Sequence, residues 1–335
     1  MNALPMDETH RWPYTRLMKR EPLVKHMYTA DPSAHVFDGK LYVFPSHDRD
    51  IEIEDNDNGD QYDMNDYHVF EMASMNGAVK DLGCVLKLED VPWASKQLWA
   101  PDAARREGKL YFYFPARDKE GIFRIGVATG TDIGGPYKAQ PQCIKGSFSI
   151  DPCVYTEGGD AYLAFGGLWG GQLEKWKTGT FDPNGKEPAG SAVAVWPKIA
   201  KLDGTWLEFA ETPRDLVIVD DHGQPLKAGD EDRRYFEGPW LHKRDGLYYF
   251  SYSTGTTHKI VYATSKSVYG PYTWRGTILP PVLGWTTHHS IVEFEGRWWL
   301  FYHDSSLSGG VNHKRSVKVA PLEYGADGSI LPIEP

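Results

Sequence analysis

One short pattern returns five times along this chain, and a recurring unit constrains a fold more tightly than any composition does. The copies are "ADPSAHVFDGKLYVFPSHD" from Ala30, "APDAARREGKLYFYFPARD" from Ala100, "IDPCVYTEGGDAYLAFGG" from Ile150, "FEGPWLHKRDGLYYFSYSTG" from Phe236 and "HHSIVEFEGRWWLFYHDSS" from His288. Each has a polar head, a short apolar strand, a turn containing Gly and a second strand ending in aromatics. Period-two runs of Tyr, Phe, Val and Trp recur between Gly, Asp and Asn, while long helical periodicity is scarce. The chain reads as all-β.

A second echo enlarges the unit. "RIGVATGTDIGGPYKA" from Arg124 and "KIVYATSKSVYGPYTW" from Lys259 match in length and in their Gly-Pro-Tyr ending, and each follows a hairpin of the first kind. A hairpin with a third and fourth strand is one propeller blade, so five units predict a five-bladed β-propeller. A β-sandwich with coincidental hairpin similarity is the alternative. The 335 residues, 41% of them hydrophobic, suffice for one large β domain or two smaller ones. No linker divides them, which predicts a single domain over residues 1–335 with blade motifs starting near 30, 100, 150, 236 and 288. The longest gap, from Asp151 to Glu237, holds "WKTGTFDPNGKEPAGSAVAVWPK" and "DDHGQPLKAGDEDRR", which read as long loops on a blade face.

The innermost strand of each blade runs beside the propeller axis, so equivalent positions at its start form a ring at one mouth of the channel. The heads here carry Asp31, Asp102, Asp151, Glu237 and the pair His288-His289. Converging carboxylates repel, which raises some pKa values while hydrogen bonds hold others down. A lone acid before proline would only cap a turn; four at repeat heads point to chemistry. Two separated carboxylates at an aromatic-lined mouth suit glycoside hydrolysis, in which one acid protonates the leaving oxygen and the other activates water. Sugar rings stack on aromatic faces, and 12 Trp exceed what packing ordinarily needs. Trp99, Trp169, Trp240 and Trp285 lie close to repeat heads, with core packing the alternative for each.

The formal net charge of −10 argues against nucleic acid or an anionic membrane as the main partner, because phosphate binding needs a basic face. Cys84, Cys143 and Cys153 are an odd number without metal-like spacing, so they read as structural thiols. "MNALPMDETHRWPYTRLMKREP" has no apolar core of an export signal, and no later run approaches a membrane span. A soluble, cytoplasmic protein is the expectation.

The five motifs, taken in order, resemble the blade motifs of glycoside hydrolase family 43, over nearly the whole chain from about Lys25 to Tyr324. The resemblance implies a five-bladed propeller that hydrolyses xylosides and arabinosides with inversion of configuration. It implies Asp31 as the general base that activates water, Glu237 as the general acid, and Asp151 as the carboxylate that orients the acid and tunes its pKa. His288 matches a histidine that contacts a Ca2+ ion, or its waters, in the central channel. Calcium prefers oxygen ligands, so such an ion would rely on water for most of its shell; a structural histidine bonded to a buried carboxylate is the alternative. Arg315 in "VNHKRSV" matches an arginine that reaches the site and bonds a sugar hydroxyl or a catalytic carboxylate, with a solvated strand-edge arginine as its alternative. Asp102, in the family motif "WAPD", is implied to be a supporting group.

The acidic stretch His47 to Asp63, "HDRDIEIEDNDNGDQYD", lacks EF-hand spacing, since no Glu stands twelfth from Asp55. It reads as a solvated loop, or as one that bends over the mouth and narrows the pocket to one or two sugars. Together these readings predict an exo-acting β-xylosidase working on xylose- or arabinose-containing plant cell-wall oligosaccharides. An α-L-arabinofuranosidase is the close alternative and a non-catalytic carbohydrate-binding propeller the distant one. A retaining fructosidase would need a Trp-Met-Asn-Asp-Pro-type motif, which the chain lacks.

Overall fold

The computed structural model describes residues 20–334. The N-terminal stretch read above for an export signal lies almost wholly outside them. Among the described residues no helix is long and apolar enough to cross a membrane.

Five separate sheets follow one another along the chain. Blade one is β1 (Tyr28–Phe37), β2 (Lys40–Asp48), β3 (Asp66–Met72) and β4 (Val79–Lys87). Blade two is β5 (Asp102–Arg106), β6 (Lys109–Arg117), β7 (Phe123–Gly130) and β8 (Lys138–Ala139). Blade three is β9 (Cys153–Glu157), β10 (Asp160–Phe165), β11 (Lys198–Lys201) and β12 (Arg214–Asp215). Next along the chain comes β13 (Ile218–Val219), which joins blade four, outside β14 (Glu237–Arg244), β15 (Leu247–Ser253), β16 (Ile260–Ser265) and β17 (Tyr272–Leu279). Blade five is β18 (His289–Phe294), β19 (Arg297–Asp304) and β20 (Ser316–Leu322). The fold is thus an all-β, five-bladed propeller. The long gap before Glu237 is only partly loop: β11, β12 and β13 lie between its two irregular stretches, and β13 pairs parallel to β17.

The repeat turns out to be a backbone repeat. Each inner hairpin closes on two residues of positive φ, at Asp38-Gly39, Glu107-Gly108, Gly158-Gly159, Asp245-Gly246 and Glu295-Gly296. Two positive φ values define the type I′ turn, whose twist matches that of the flanking strands. The ring closes through the start of the described chain, where Leu23 N, before β1, donates to Val317 O at 2.7 Å and Thr29 N, within β1, to Arg315 O at 2.9 Å. The core fills the seams between blades. Leu41, Val43 and Phe70 of blade one meet Trp299, Phe301 and Val317 of blade five, while Tyr67 and Phe44 meet Phe112 and Phe114 of blade two. Burying one such ring stabilises by roughly 1.5–3 kcal/mol, so a seam of several comfortably offsets locally strained backbone at the axis.

Candidate active site

Counting back eight residues from the turn glycine of each blade gives Asp31, Ala100, Asp151, Gly238 and His288. The carboxylates are therefore not all in register: Glu237 stands one residue before its blade's axial position and Asp102 two after. Asp31 and Asp151 precede proline with φ of 47° and 57°, and Gly238 precedes Pro239 with φ of 64°. The β1–β2 register shifts between Ala30 and Ser33, and the β14–β15 register between Glu237 and Trp240. A left-handed Asp costs about 1–2 kcal/mol, and proline, which has no N–H to lose, fits a bulge. The bulge turns the preceding side chain toward the axis. At Gly238 the next ring is so close that an added Cβ would lie 3.3 Å from His288 Nδ1, so glycine takes that place and the acid moves back one position.

Asp102 does different work lower in the channel. Its carboxylate accepts from Ser33 Oγ (2.5 Å), Val154 N (2.5 Å) and His35 Nε2 (2.6 Å). It therefore ties blade one to blade three and takes no place in the pocket.

Asp31 lies in a cage of donors. Ser46 Oγ donates to its Oδ2 at 2.5 Å, and Arg315 reaches Oδ1 through Nη1 at 3.0 Å and Oδ2 through Nη2 at 3.3 Å. Its backbone N–H donates to His303 Nδ1 at 3.0 Å, and His303 Nε2 faces Thr286 O at 3.0 Å, which assigns the ring proton to Nε2. Burial pushes the Asp31 carboxyl up, but Arg315, then His303, His288 and Ser46 outweigh it and hold the pKa at about 2. Arg315 is itself fixed by Asp48, which accepts from Nε and Nη2, both at 2.8 Å, while Nη1 also reaches Thr286 Oγ1 at 3.0 Å. All five guanidinium N–H groups are thereby engaged within the protein. Of the two partners read for Arg315, sugar hydroxyl or carboxylate, its geometry provides the carboxylate.

Glu237 has the opposite environment. Its carboxyl makes no hydrogen bond within the described chain; burial, then the charge of Asp31, raises its pKa to about 8, against the pull of Arg315. Asp151 accepts from Gly238 N at 2.9 Å, which sets it against the backbone of the acid. Its carboxyl is raised by burial, then by Glu237 and Asp31. The two acids share a buried site that disfavours a double negative charge, so their protons belong to the pair. His288 Nδ1 stands 3.9 Å from Asp31 Oδ1 and 3.8 Å from Asp151 Oδ2, and burial keeps the ring neutral by lowering its pKa.

These groups open into a cavity of about 210 Å³ lined by Asp31, Asp151, Glu237, His288, Arg315 and aromatic walls. Trp99, Trp169 and Trp285 all line it. Trp169 and Trp285 face each other at 5.5 Å between ring centroids and 45° between planes. The Trp169 indole N–H donates to Glu187 Oε2 at 2.9 Å, and Glu187 pairs with the buried Arg234 at 2.8 Å. Trp99 lies deeper, under Gly59 of the acidic loop, where an added Cβ would come 2.6 Å from the indole. Trp240 is core: it is buried, and its indole N–H donates to Ile291 O at 2.9 Å.

The acidic loop after β2 roofs the pocket, contributing Asp55, Asn56, Asp57 and Gly59 to its lining. It is pinned from two sides. Asn312 Nδ2 donates to Asp55 Oδ2 at 2.6 Å and Lys314 pairs with Asp50 and Glu52 at 2.8 and 2.7 Å, while Arg117 Nη2 donates to Asn58 O at 2.7 Å.

Among the described residues the channel offers no ready-made oxygen shell for calcium, since both Asp102 oxygens are already engaged and Asp31 faces Arg315. His288 Nε2, however, makes no hydrogen bond within the described chain, and a neutral ring nitrogen can receive a water of a hydrated cation. The residues therefore fit an ion only if water supplies most of its ligands.

A firmly ionised carboxylate and a protonated one at the mouth of a roofed aromatic pocket, on a five-bladed propeller, define a glycosidase. Residues 20–330 match the model of glycosyl hydrolases family 43. The chain is 59% identical over 324 residues to xylosidase/arabinosidase 43A of Humicola insolens, covering 94% of this chain and 99% of that one. It is 46% identical over 316 residues to a beta-xylosidase of Xylanibacter ruminicola, covering 93% and 99%. Its fold superimposes with a TM-score of 0.92, at 56% identity and with coverage of 94% and 97%, on a family 43 beta-xylosidase/alpha-arabinofuranosidase from a compost microbial metagenome, solved with xylotriose in a calcium-free form. The chain belongs to glycosyl hydrolases family 43.

Proposed function

We propose that this glycosidase releases terminal β-D-xylose from xylo-oligosaccharides by single displacement with inversion, and accepts terminal α-L-arabinofuranose in the same pocket. The observation that carries this reading is the opposed setting of two carboxyl groups beneath the roof of one pocket: Asp31 is held by Arg315 and Ser46, while the Glu237 carboxyl is without a hydrogen-bond partner among the described residues. Asp31, ionised and fixed by Arg315 and Ser46, takes a proton from a water on one face of the sugar. That water attacks the anomeric carbon as the glycosidic C–O bond breaks, and Glu237 delivers its proton to the leaving oxygen. Asp151 orients Glu237 and, through like charge, opposes its ionisation. Arg315 acts through Asp31 as a positioning residue, while Trp169 and Trp285 provide the faces against which the sugar packs.

Product analysis on xylobiose, arabinoxylan oligosaccharides and arabinan tests the reading. Xylobiose is expected to yield xylose whose first-formed anomer is α, and the oligosaccharides to shorten one residue at a time from the non-reducing end. Release of mixed internal fragments would reject exo action, and a first-formed β anomer would reject inversion.

The relative solved in a calcium-free form, taken with the open His288 nitrogen, supports a hydrated Ca2+ ion in the channel beside His288. Bound there, the ion would supply positive charge beneath the carboxylates. Chelation is then expected to lower turnover several-fold, with recovery on adding calcium. Unchanged turnover after exhaustive chelation would leave His288 as a structural neighbour of Asp31 and Asp151.

A further inference from the structure

We propose that blade one carries a second cation site, separate from the catalytic pocket, which takes a borderline divalent transition metal of the Zn2+ class on His47, Asp66 and His68. One ring nitrogen of each histidine and one carboxylate oxygen of Asp66 lie within 4.8 Å of one another. The topology explains why. Ser46 pairs with Tyr67 across β2 and β3, so His47 stands opposite Asp66, and His68, two residues on, shares their face. Alternation along β2 sends Ser46 and Asp48 the other way, toward Asp31 and Arg315. The two clusters therefore occupy opposite faces of one strand.

The surroundings orient the ligands. His68 Nδ1 lies 3.1 Å from Asp81 Oδ1, and a carboxylate on one ring nitrogen leaves the other, Nε2, to bind a metal, the arrangement that supports most histidine-ligated ions. His26 Nε2 holds the same Asp81 at 3.0 Å through Oδ2. His47 Nδ1 and Asp66 Oδ1 are 2.5 Å apart, within hydrogen-bond distance, and a cation entering between them would replace that contact with two metal–ligand bonds. The three side chains are 17–31% exposed, enough to admit an ion without leaving the ligands loose. Two imidazoles and a carboxylate, with water as the fourth ligand, suit zinc and its neighbours and do not suit calcium. A cation here clamps the ends of β2 and β3 where the acidic roof loop leaves the sheet.

The test is calorimetric titration of the chelator-stripped protein with ZnCl2, repeated with CoCl2, whose visible absorption reports coordination, and with CaCl2. One equivalent of zinc is expected to bind. Affinity is expected to fall at least about 100-fold in His68→Ala and Asp66→Asn, and about 10-fold in Asp81→Asn, the range set by outer-shell partners. Glycosidase activity and the melting profile of the metal-free His47→Ala/His68→Ala protein are expected to match the metal-free parent, with His68→Gln as a second variant should the double one fold poorly. Absence of zinc uptake, or uptake unchanged in the double variant, would overturn the site. Calcium heat that disappears with His47 and His68 would overturn the assigned class of metal.

Discussion

Replacing Glu237 with Gln is expected to lower kcat on xylobiose by about 10²–10⁴-fold, the usual contribution of a general acid, while leaving the fold intact. Gln keeps the shape of the side chain and removes only the proton to be delivered. The loss should be at least about ten-fold smaller on an aryl xyloside whose phenolate leaves without help, because the reaction then asks little of the acid. The pH profile supplies an independent check. Glu237 must be protonated, and burial and Asp31 raise its pKa to about 8, so activity is present below that pH and lost as pH rises through it. Asp31 must be ionised, and its pKa is held at about 2, so activity falls only as pH drops through that value. The basic limb belongs to the Glu237–Asp151 pair, and in Glu237→Gln it should disappear from the residual rate on the aryl substrate. Near-normal turnover of xylobiose by the variant would reject the assignment.

Much of this architecture was legible in the sequence because the blade is a local object: a strand, a type I′ turn with glycine and a second strand recur within about twenty residues. Asp31 and Asp151 were legible for the same reason, since an Asp-Pro step at the head of a blade is a sequence feature and its left-handed backbone follows from it. The ring of acids is less regular than the five repeat heads imply. Gly238 takes the axial place that Asp31 and Asp151 hold in their blades, and Asp102 stands two residues past it in blade two, so only the backbone reveals that Glu237 is set back and Asp102 belongs to the seam between blades.

What the sequence hid are groups defined by closure of the ring. Arg315 meets Asp31 across 284 residues and Asp48 across 267, and no periodicity anticipates such a meeting. Ser46, Asp48, Thr286 and His303 were missed altogether. The one available signal was that the opening hairpin and the last both end on His-Asp, at His47-Asp48 and His303-Asp304. The roof over the pocket was half visible: its acidity was plain, but its pins lie at Asn312 and Lys314 in blade five and at Arg117 in blade two.

Replacing Asp31 with Ala is expected to reduce turnover at least about 10³-fold on every substrate, including the aryl xyloside, because no leaving group compensates for a water that is not activated. Azide should rescue this variant and should not rescue Glu237→Gln on xylobiose. In the rescued reaction the azide nitrogen forms a bond to the anomeric carbon as the C–O bond breaks and Glu237 protonates the leaving oxygen, giving a glycosyl azide of opposite anomeric configuration. The protein should tolerate the change electrostatically. Arg315 faces two carboxylates in the parent, and removing one leaves a compact Arg315–Asp48 pair rather than an unpaired buried charge. Ala does raise the strain of the left-handed backbone, so Asp31→Asn, which tolerates that conformation, controls for misfolding and should be equally inactive without azide. The charge of Asp31 also raises the pKa of Glu237, ranking after burial. Its removal should therefore move the basic limb of the azide-rescued rate to lower pH. A rescued profile whose basic limb stays at the parent value would separate Asp31 from Glu237 electrostatically and leave burial and Asp151 to keep the acid protonated.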